Sequence, residues 1–358
     1  MKKNILIIDD SALMRRVLSD IINADERFQA SEHAVNGLEA LSIMQRRAGD
    51  FDAVLLDINM PKMNGLEFLA ELKNQKIKAT VIIVSTIATS DAKETIRALE
   101  LGAFDFVTKP ESYLEVKSNI FSNKILDCLS LATKTEFNVP GMKPEGSRPL
   151  QESFRTKTHT RISQSENKLV ALACSTGGPK ALHTVIPKLP KNLDACVLIV
   201  QHMPGGFTKS LADRLNELSQ MEVKEAEDGD ILKKGTVYIA KGGFQMRVKK
   251  REDGLYVISV SKEPARHGLL PCADIMYESL TETEFEQITC VVLTGMGGDG
   301  TAGIKKLNDT NNIYVIAQNE ETSIVYGMPK VIKESGLVDE VVALNDISDA
   351  IIKNVGVH

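Results

Sequence analysis

The 358-residue chain has no long apolar run, no excess of basic charge and few cysteines. The first absence excludes a bilayer-spanning helix, which needs about 20 consecutive apolar residues. The opening "MKKNILIIDD" carries two lysines, but its apolar run stops after four residues at two aspartates. That is too short for a signal-peptide core. The formal net charge of −5 argues against a protein that wraps nucleic acid, and no helix-turn-helix or basic patch is present. The five cysteines, Cys128, Cys174, Cys196, Cys272 and Cys290, are scattered, odd in number and form no C-x-x-C pair. Neither a disulfide framework nor a zinc site is expected, and a reduced, cytoplasmic compartment fits.

What the chain does have is material for two cores. Hydrophobic residues make up 43% and charged residues 25%, ordinary for globular domains. In residues 1–130, "NILII", "AVLL", "TVIIV" and "FDFV" read as strands. "ALMRRVLSDIINA", "GLEALSIMQRR", "GLEFLAELKN" and "DAKETIRALELG" read as helices. Such alternation predicts βαβ units and a parallel sheet covered on both faces. Residues 131–167 are polar, carry Pro, Gly and Ser and show no periodicity, which predicts an exposed linker. From Lys168 to His358 strands return, as "KLVALA", "ACVLIV", "TVYIA", "ITCVVLT" and "NIYVIA". A hairpin is expected around "FQMRVKKREDGLYVISV". No internal repeat relates the halves.

Asp9 and Asp10 end the first strand, and Asp57 ends another in "VLLDINMPKMNG". The carboxyl ends of parallel strands share one sheet edge, so the three acids should converge. Clustered carboxylates call for a hard cation such as Mg²⁺. Ser85 and Lys109 stand at two more strand ends. A metal, a hydroxyl and an ammonium around one carboxylate suit phosphoryl transfer onto it. A single such Asp reads best as a solvated loop residue, but five matching strand ends do not. Residues 3–128 resemble the receiver domain of two-component response regulators. The resemblance implies that Asp57 accepts a phosphoryl group from a sensor histidine kinase. It implies Mg²⁺ ligation by Asp10 and Asp57, by Asp9 mostly through water, and by the Asn59 carbonyl. Ser85 would bond the phosphoryl oxygen, Lys109 would pair with it, and the Lys109–Pro110 peptide would be cis.

In the second half, "ACSTGGPKAL" places Ser175 where a strand hands over to a helix. It could cap the helix, line an anion site or serve as a nucleophile. A nucleophile needs a base and an orienting acid. Among the histidines, His202 ends the strand "ACVLIVQ" at the same expected sheet edge as Ser175. His183 falls inside the following helix, and His267 lies in the loop "EPARHGLLPCAD". Asp299 follows another strand in "VVLTGMGGDG". That stretch has the letters of a dinucleotide fingerprint, but it comes late in the domain, and its aspartate would repel a pyrophosphate. Three strand ends offering Ser, His and Asp are better explained as a triad.

The second half resembles the catalytic domain of the chemotaxis protein-glutamate methylesterases. The matching stretches are "STGGP", "QHMPGGFT", "EAEDGD", "VYIAKGG", "LTGMGGDG" and "IAQNEETSIVYGMP". The resemblance implies two doubly wound α/β domains, a flavodoxin-like receiver (1–130) and a Rossmann-like methylesterase domain (168–358), joined by the linker (131–167). It implies Ser175 as nucleophile, His202 as base and Asp299 as orienting acid, with Thr176, Met296 and His267 as candidates for oxyanion or substrate contacts. The implied function is phosphorylation-controlled hydrolysis of glutamate methyl esters on chemoreceptors, with glutamine deamidation at the same site. The implied partners are those receptors and a chemotaxis histidine kinase, with neither nucleic acid nor membrane insertion. Mg²⁺ would serve receiver phosphorylation, and ester hydrolysis would need no cofactor. A rival from another class is a phosphorylation-controlled binding module with an inactive esterase fold. The chain departs from the family where Ala173, Cys174 and Cys272 stand for glycine, alanine and serine, and the loop near His267 is about two residues longer.

Overall fold

The computed structural model describes residues 1–110, 119–134 and 168–358. Residues 135–167 of the expected linker lie outside the described residues. In the first half, β1 (Lys3–Ile8), β2 (Phe28–Ala34), β3 (Ala53–Leu56), β4 (Val81–Ser85) and β5 (Asp105–Thr108) form a parallel sheet in the order β2-β1-β3-β4-β5. It is flanked by α1 (Ala12–Ala24), α2 (Gly37–Arg47), α3 (Gly65–Asn74), α4 (Thr89–Leu101) and α5 (Asn119–Thr133). Local chemistry sets the helix starts. Ser11 accepts a hydrogen bond from Met14 N, and Asn64 and Glu67 form a reciprocal capping box on α3. Each such cap contributes about 1 kcal/mol.

In the second half, seven parallel strands run in the order β14-β13-β12-β6-β7-β9-β8. They are β6 (Lys168–Cys174), β7 (Cys196–Gln201), β8 (Glu222–Glu225), β9 (Thr236–Ile239), β12 (Gln287–Val292), β13 (Ile313–Gln318) and β14 (Glu340–Val342). The expected hairpin is antiparallel β10 (Gln245–Lys250) and β11 (Tyr256–Ser261). The helices are α6 (Gly178–Val185), α7 (Phe207–Leu218), α8 (Ala273–Ser279), α9 (Thr301–Thr310), α10 (Met328–Glu334) and α11 (Ile347–Val355). Central strands are buried on both faces. Leu169 to Cys174 of β6 are all inaccessible, and each large side chain so buried contributes about 1.5–3 kcal/mol.

Strand order places the two sites. In the first sheet the direction of winding reverses between β1 and β3, so Asp9, Asp10 and Asp57 flank the crevice. In the second it reverses at β6, with β7 on one side and β12 on the other. Ser175, His202 and Asp299 follow those three strands.

The halves pack against each other. Helix α4 lies on α6 and α7. The Phe106 and Phe207 rings sit 4.6 Å apart. Among the described residues the cis peptide is Leu270–Pro271, so the expected cis Lys109–Pro110 bond is not found.

Candidate active site

Ser175 does not cap a helix. The N-cap of α6 is Gly177, at φ 78°, with no side-chain cap, and Pro179 stands in the first turn. The serine backbone is fixed instead by Ser175 N donating to Thr294 O at 3.0 Å and Gly178 N donating to Ser175 O at 2.7 Å. The close approach of two strand ends demands glycine beside it. A Cβ on Gly295 would lie 2.8 Å from Ser175 Cβ.

A buried amide ties Ser175 and His202 together. Gln201 Nε2 donates to Ser175 O at 3.0 Å and to His202 O at 3.2 Å. Its Oε1 accepts from the Cys174 thiol at 3.0 Å. Gly178 leaves room for that amide, because a Cβ there would strike Gln201 Oε1. Cys174 itself is wholly buried, and burial drives its thiol far above the usual range. It is a partner of Gln201, not a spare nucleophile.

His202 places Nε2 2.8 Å from Asp299 Oδ2, which leaves Nδ1 as the ring's basic nitrogen. Asp299 does not cap α9 either. Its carboxylate turns to the start of α8, where Ala273 N and Asp274 N donate to it at 2.6 and 3.0 Å. Asp274 caps α9 in exchange, accepting from Gly300 N and Gly303 N at 3.0 and 2.7 Å. Burial opposes ionisation of Asp299. The hydrogen bond and charge of His202, with the Ala273 N–H and Cys272, outweigh it and hold the carboxyl well below the usual range. An ionised acid, buried and aimed at a ring N–H, is what an imidazolium forming at His202 requires.

Ser175 and His202 meet at a cavity of about 480 Å³, also lined by Thr176 and Met296. Its opposite wall comes from the first half, through Asp105, Phe106, Thr108 and Lys124. Among the described residues no hydrogen bond joins Ser175 Oγ to His202, and both line the cavity. Thr176 and Met296 line the cavity. His267 is exposed, its backbone turned left-handed at φ 54°, and the next residues, Gly268 to Leu270, reach the wall instead. Burial at this junction pushes the Asp105 carboxyl up to about 6, against hydrogen bonds from Phe106 N and the Thr176 side chain.

The expected acidic cluster also assembles. Ligand atoms of Asp9, Asp10 and Asp57 lie within 4.8 Å of one another. Lys109 Nζ stands 2.9 Å from both Asp9 Oδ2 and Asp57 Oδ2. Burial pushes the Asp57 carboxyl up to about 6, and the Lys109 ammonium limits the rise. Ser85 is buried at the end of β4, its hydroxyl accepting from Thr95 Oγ1 at 2.9 Å. Asn59 is exposed, its side chain bonded to Asp91. Two buried carboxylates that share one ammonium, Asp9 and Asp57, with the exposed Asp10 beside them, are a donor set that fits a hard divalent cation.

Sequence reading did not reveal Gln201 as a bracket, although a glutamine directly before the base at a strand end was visible. Nor did it reveal Glu100. Glu100 on α4 accepts from Arg214 of α7 at 2.6 and 3.1 Å, and His183 Nε2 of α6 stands 2.8 Å from it. His183 lies inside α6, as its place in the sequence implies, with Nδ1 bonded to Pro179 O at 2.7 Å.

Fold and site together define a two-domain α/β protein, a half with a carboxylate-lined cleft packed on a half that brings Ser175, His202 and Asp299 to one sheet edge. The CheB methylesterase family model matches residues 170–351, and the response regulator receiver domain model matches residues 5–120. The chain is 38% identical over 363 residues to the protein-glutamate methylesterase/protein-glutamine glutaminase 1 of Syntrophomonas wolfei, covering 98% of this chain and 99% of that one. It is 40% identical to the protein of the same description from Geobacillus kaustophilus, covering 98% of each. The crystal structure of the Thermotoga maritima CheB methylesterase catalytic domain aligns with a TM-score of 0.50 at 41% identity, over 53% of this chain and 99% of that one. The chain belongs to the CheB methylesterase family and carries a receiver domain at its N-terminal end.

Proposed function

We propose that this protein hydrolyses glutamate γ-methyl esters on chemoreceptors, and deamidates glutamines there, under control of Asp57 phosphorylation. The observation that carries the reading is the His202–Asp299 pair, 2.8 Å apart, at a cavity shared with Ser175. Ser175 Oγ attacks the ester carbonyl while His202 Nδ1 takes its proton. Backbone N–H groups of the Gly-rich turn at Met296 receive the oxyanion. The proton then passes from His202 to the departing methoxide, giving methanol and an acyl-serine. A water molecule, deprotonated by the same nitrogen, releases glutamate. An amide follows the same path with ammonia as the leaving group.

In the receiver, Asp9, Asp10 and Asp57 are the side chains to hold Mg²⁺, with the Asn59 carbonyl. A bound Mg²⁺ supplies charge neutralisation for phosphoryl transfer from a chemotaxis histidine kinase. Lys109 and Ser85 bind the new phosphoryl oxygens. The control reading is supported by the wall that β5 and α5 contribute to the cavity. Docked in this way, the receiver obstructs a receptor segment's approach to Ser175, and phosphorylation relieves it by altering how the halves pack. The setting expected for such chemistry is the cytoplasm, and among the described residues no helix is long and apolar enough to cross a membrane. The test is the mass of a methylated receptor peptide after incubation with the protein, acetyl phosphate and Mg²⁺. Loss of one methylene unit supports the reading. An unchanged peptide that still binds supports an inactive binding module.

A further inference from the structure

Asp299 is fully engaged. Oδ2 accepts from His202 Nε2 at 2.8 Å and Ala273 N at 2.6 Å, and Oδ1 accepts from Asp274 N at 3.0 Å. The fourth donor is the Cys272 thiol, 3.1 Å from Oδ1. Two of the donors are backbone groups at the start of α8, and a third is the base itself. Only the thiol is a side chain that substitution can change without touching the main chain or the base.

Its position is fixed from the other side. Cys272 N donates to Gln245 Oε1 at 2.9 Å, and Gln245 is fully buried on β10. Cys272 is 1% exposed. Burial, then the charge of Asp299, push its pKa up to about 12. It therefore keeps its proton and faces a carboxylate, so it can only donate. Cys272, Asp274 and Asp299 are close enough to suggest a metal site. Each Asp299 oxygen already takes two donors, and Asp274 Oδ1 takes two N–H groups, which argues against an ion there.

We infer that Cys272 is a positioning residue for ester hydrolysis: its S–H fixes the rotation of the Asp299 carboxylate and thereby the line along which Oδ2 meets His202. The inference rests on the triad reading. A carboxylate with one donor removed is less well held and carries more uncompensated charge toward the ring. The ring then keeps its proton to higher pH, and fewer molecules carry a free base at a given pH. Serine in place of the thiol supplies a stronger donor from a slightly shorter arm.

The experiment uses the full chain, activated with acetyl phosphate and Mg²⁺. It measures kcat and KM on a methylated receptor peptide between about pH 5.5 and 9. Cys272→Ala is expected to lower kcat by about tenfold or less, leave KM unchanged, and move the acid limb of the profile up by about half a pH unit. Cys272→Ser is expected to restore both rate and limb. Asp299→Asn, run beside them, is expected to lose several powers of ten. If Asp299→Asn is inactive while Cys272→Ala keeps the wild-type rate and limb, the triad stands and the role of Cys272 is overturned. A folded Cys272→Ser as impaired as the alanine variant also overturns it, because that pattern reports packing. An active Asp299→Asn removes the triad reading and this inference with it.

Discussion

Glu100 of the receiver accepts two hydrogen bonds from Arg214 of the catalytic half, at 2.6 and 3.1 Å. The pair is bidentate and charge-assisted, the stronger kind. Its side chains remain 32% and 22% exposed, so solvent screens part of that strength. It lies away from the cavity, at the α4–α7 contact, so removing it should loosen docking without touching the chemistry. Arg214→Ala is expected to raise the basal esterase rate of the unphosphorylated protein several-fold, corresponding to about 1 kcal/mol. The rate of the phosphorylated protein should stay within about twofold. Raised ionic strength should reproduce part of the effect in wild type and none in the variant. Equal basal rates for variant and wild type would show that this contact does not hold the halves together.

The triad makes a sharper demand. Ser175→Ala should abolish hydrolysis, a loss of several powers of ten. Cys174 offers no substitute, since its thiol is buried against Gln201 and held protonated. His202→Gln should be as damaging, and the double variant little worse than either, because members of one catalytic unit are not additive. His183→Gln should leave kcat of the activated protein nearly unchanged, since that ring faces Pro179 and Glu100. Turnover of methylated peptide checks all four. A severe loss at His183 with activity kept at His202 would reverse the assignment.

Legibility of the chain followed burial. Strands buried on both faces, such as β3 (burial throughout) and β6, stand out as apolar runs. The helices α1, α2 and α3 carry their periodicity and their caps in the sequence. The strands that escape are β2, β8 and β14, three of the four edge strands of the two parallel sheets. Edge strands such as "FQASEHA" are polar where they face solvent, so no run marks them. The carboxylate cluster and the gathering of Ser175, His202 and Asp299 were legible because parallel sheets gather strand ends. What holds Asp299 was not, because its partners Cys272 to Asp274 come from a helix start 25 to 27 residues away. The Glu100–Arg214 contact spans 114 residues and leaves no periodic trace.

Asp105 gives docking a dependence on pH. Its carboxyl is pushed up to about 6 at the junction, from an ordinary value of about 4. The docked form therefore favours the protonated acid. That contribution is full below about pH 4 and is lost as pH rises through about 6. Lys124 and Asp127 share the cavity wall, and Asp127 is also shifted upward by burial, with the same sign. The basal rate of the full chain divided by that of the 168–358 fragment cancels the titration of the base. This ratio should be smaller at pH 6 than at pH 8, and Asp105→Asn should flatten it. A ratio that rises toward low pH would place the Asp105 charge on the side of docking instead.

The proposed control by the receiver is separable from catalysis by two changes with opposite results. Asp57→Asn removes the proposed phosphoryl acceptor but keeps the volume of the side chain beside Lys109. It should leave a low basal esterase that acetyl phosphate and Mg²⁺ no longer stimulate. Deleting residues 1–140 removes the wall that Asp105, Phe106 and Lys124 contribute to the cavity. The truncated protein should hydrolyse methylated receptors faster than the unphosphorylated full chain, and it too should ignore the phosphodonor. Both proteins lose regulation, one closed and one open, so a receiver that merely stabilises the catalytic half predicts a different pair of results. The measurement is ester hydrolysis by full-length, Asp57→Asn and truncated protein, each with and without phosphodonor, with folding checked by circular dichroism. A truncated protein that is folded yet slower than the unphosphorylated full chain would make the receiver an activator, supplying contacts the catalytic half lacks.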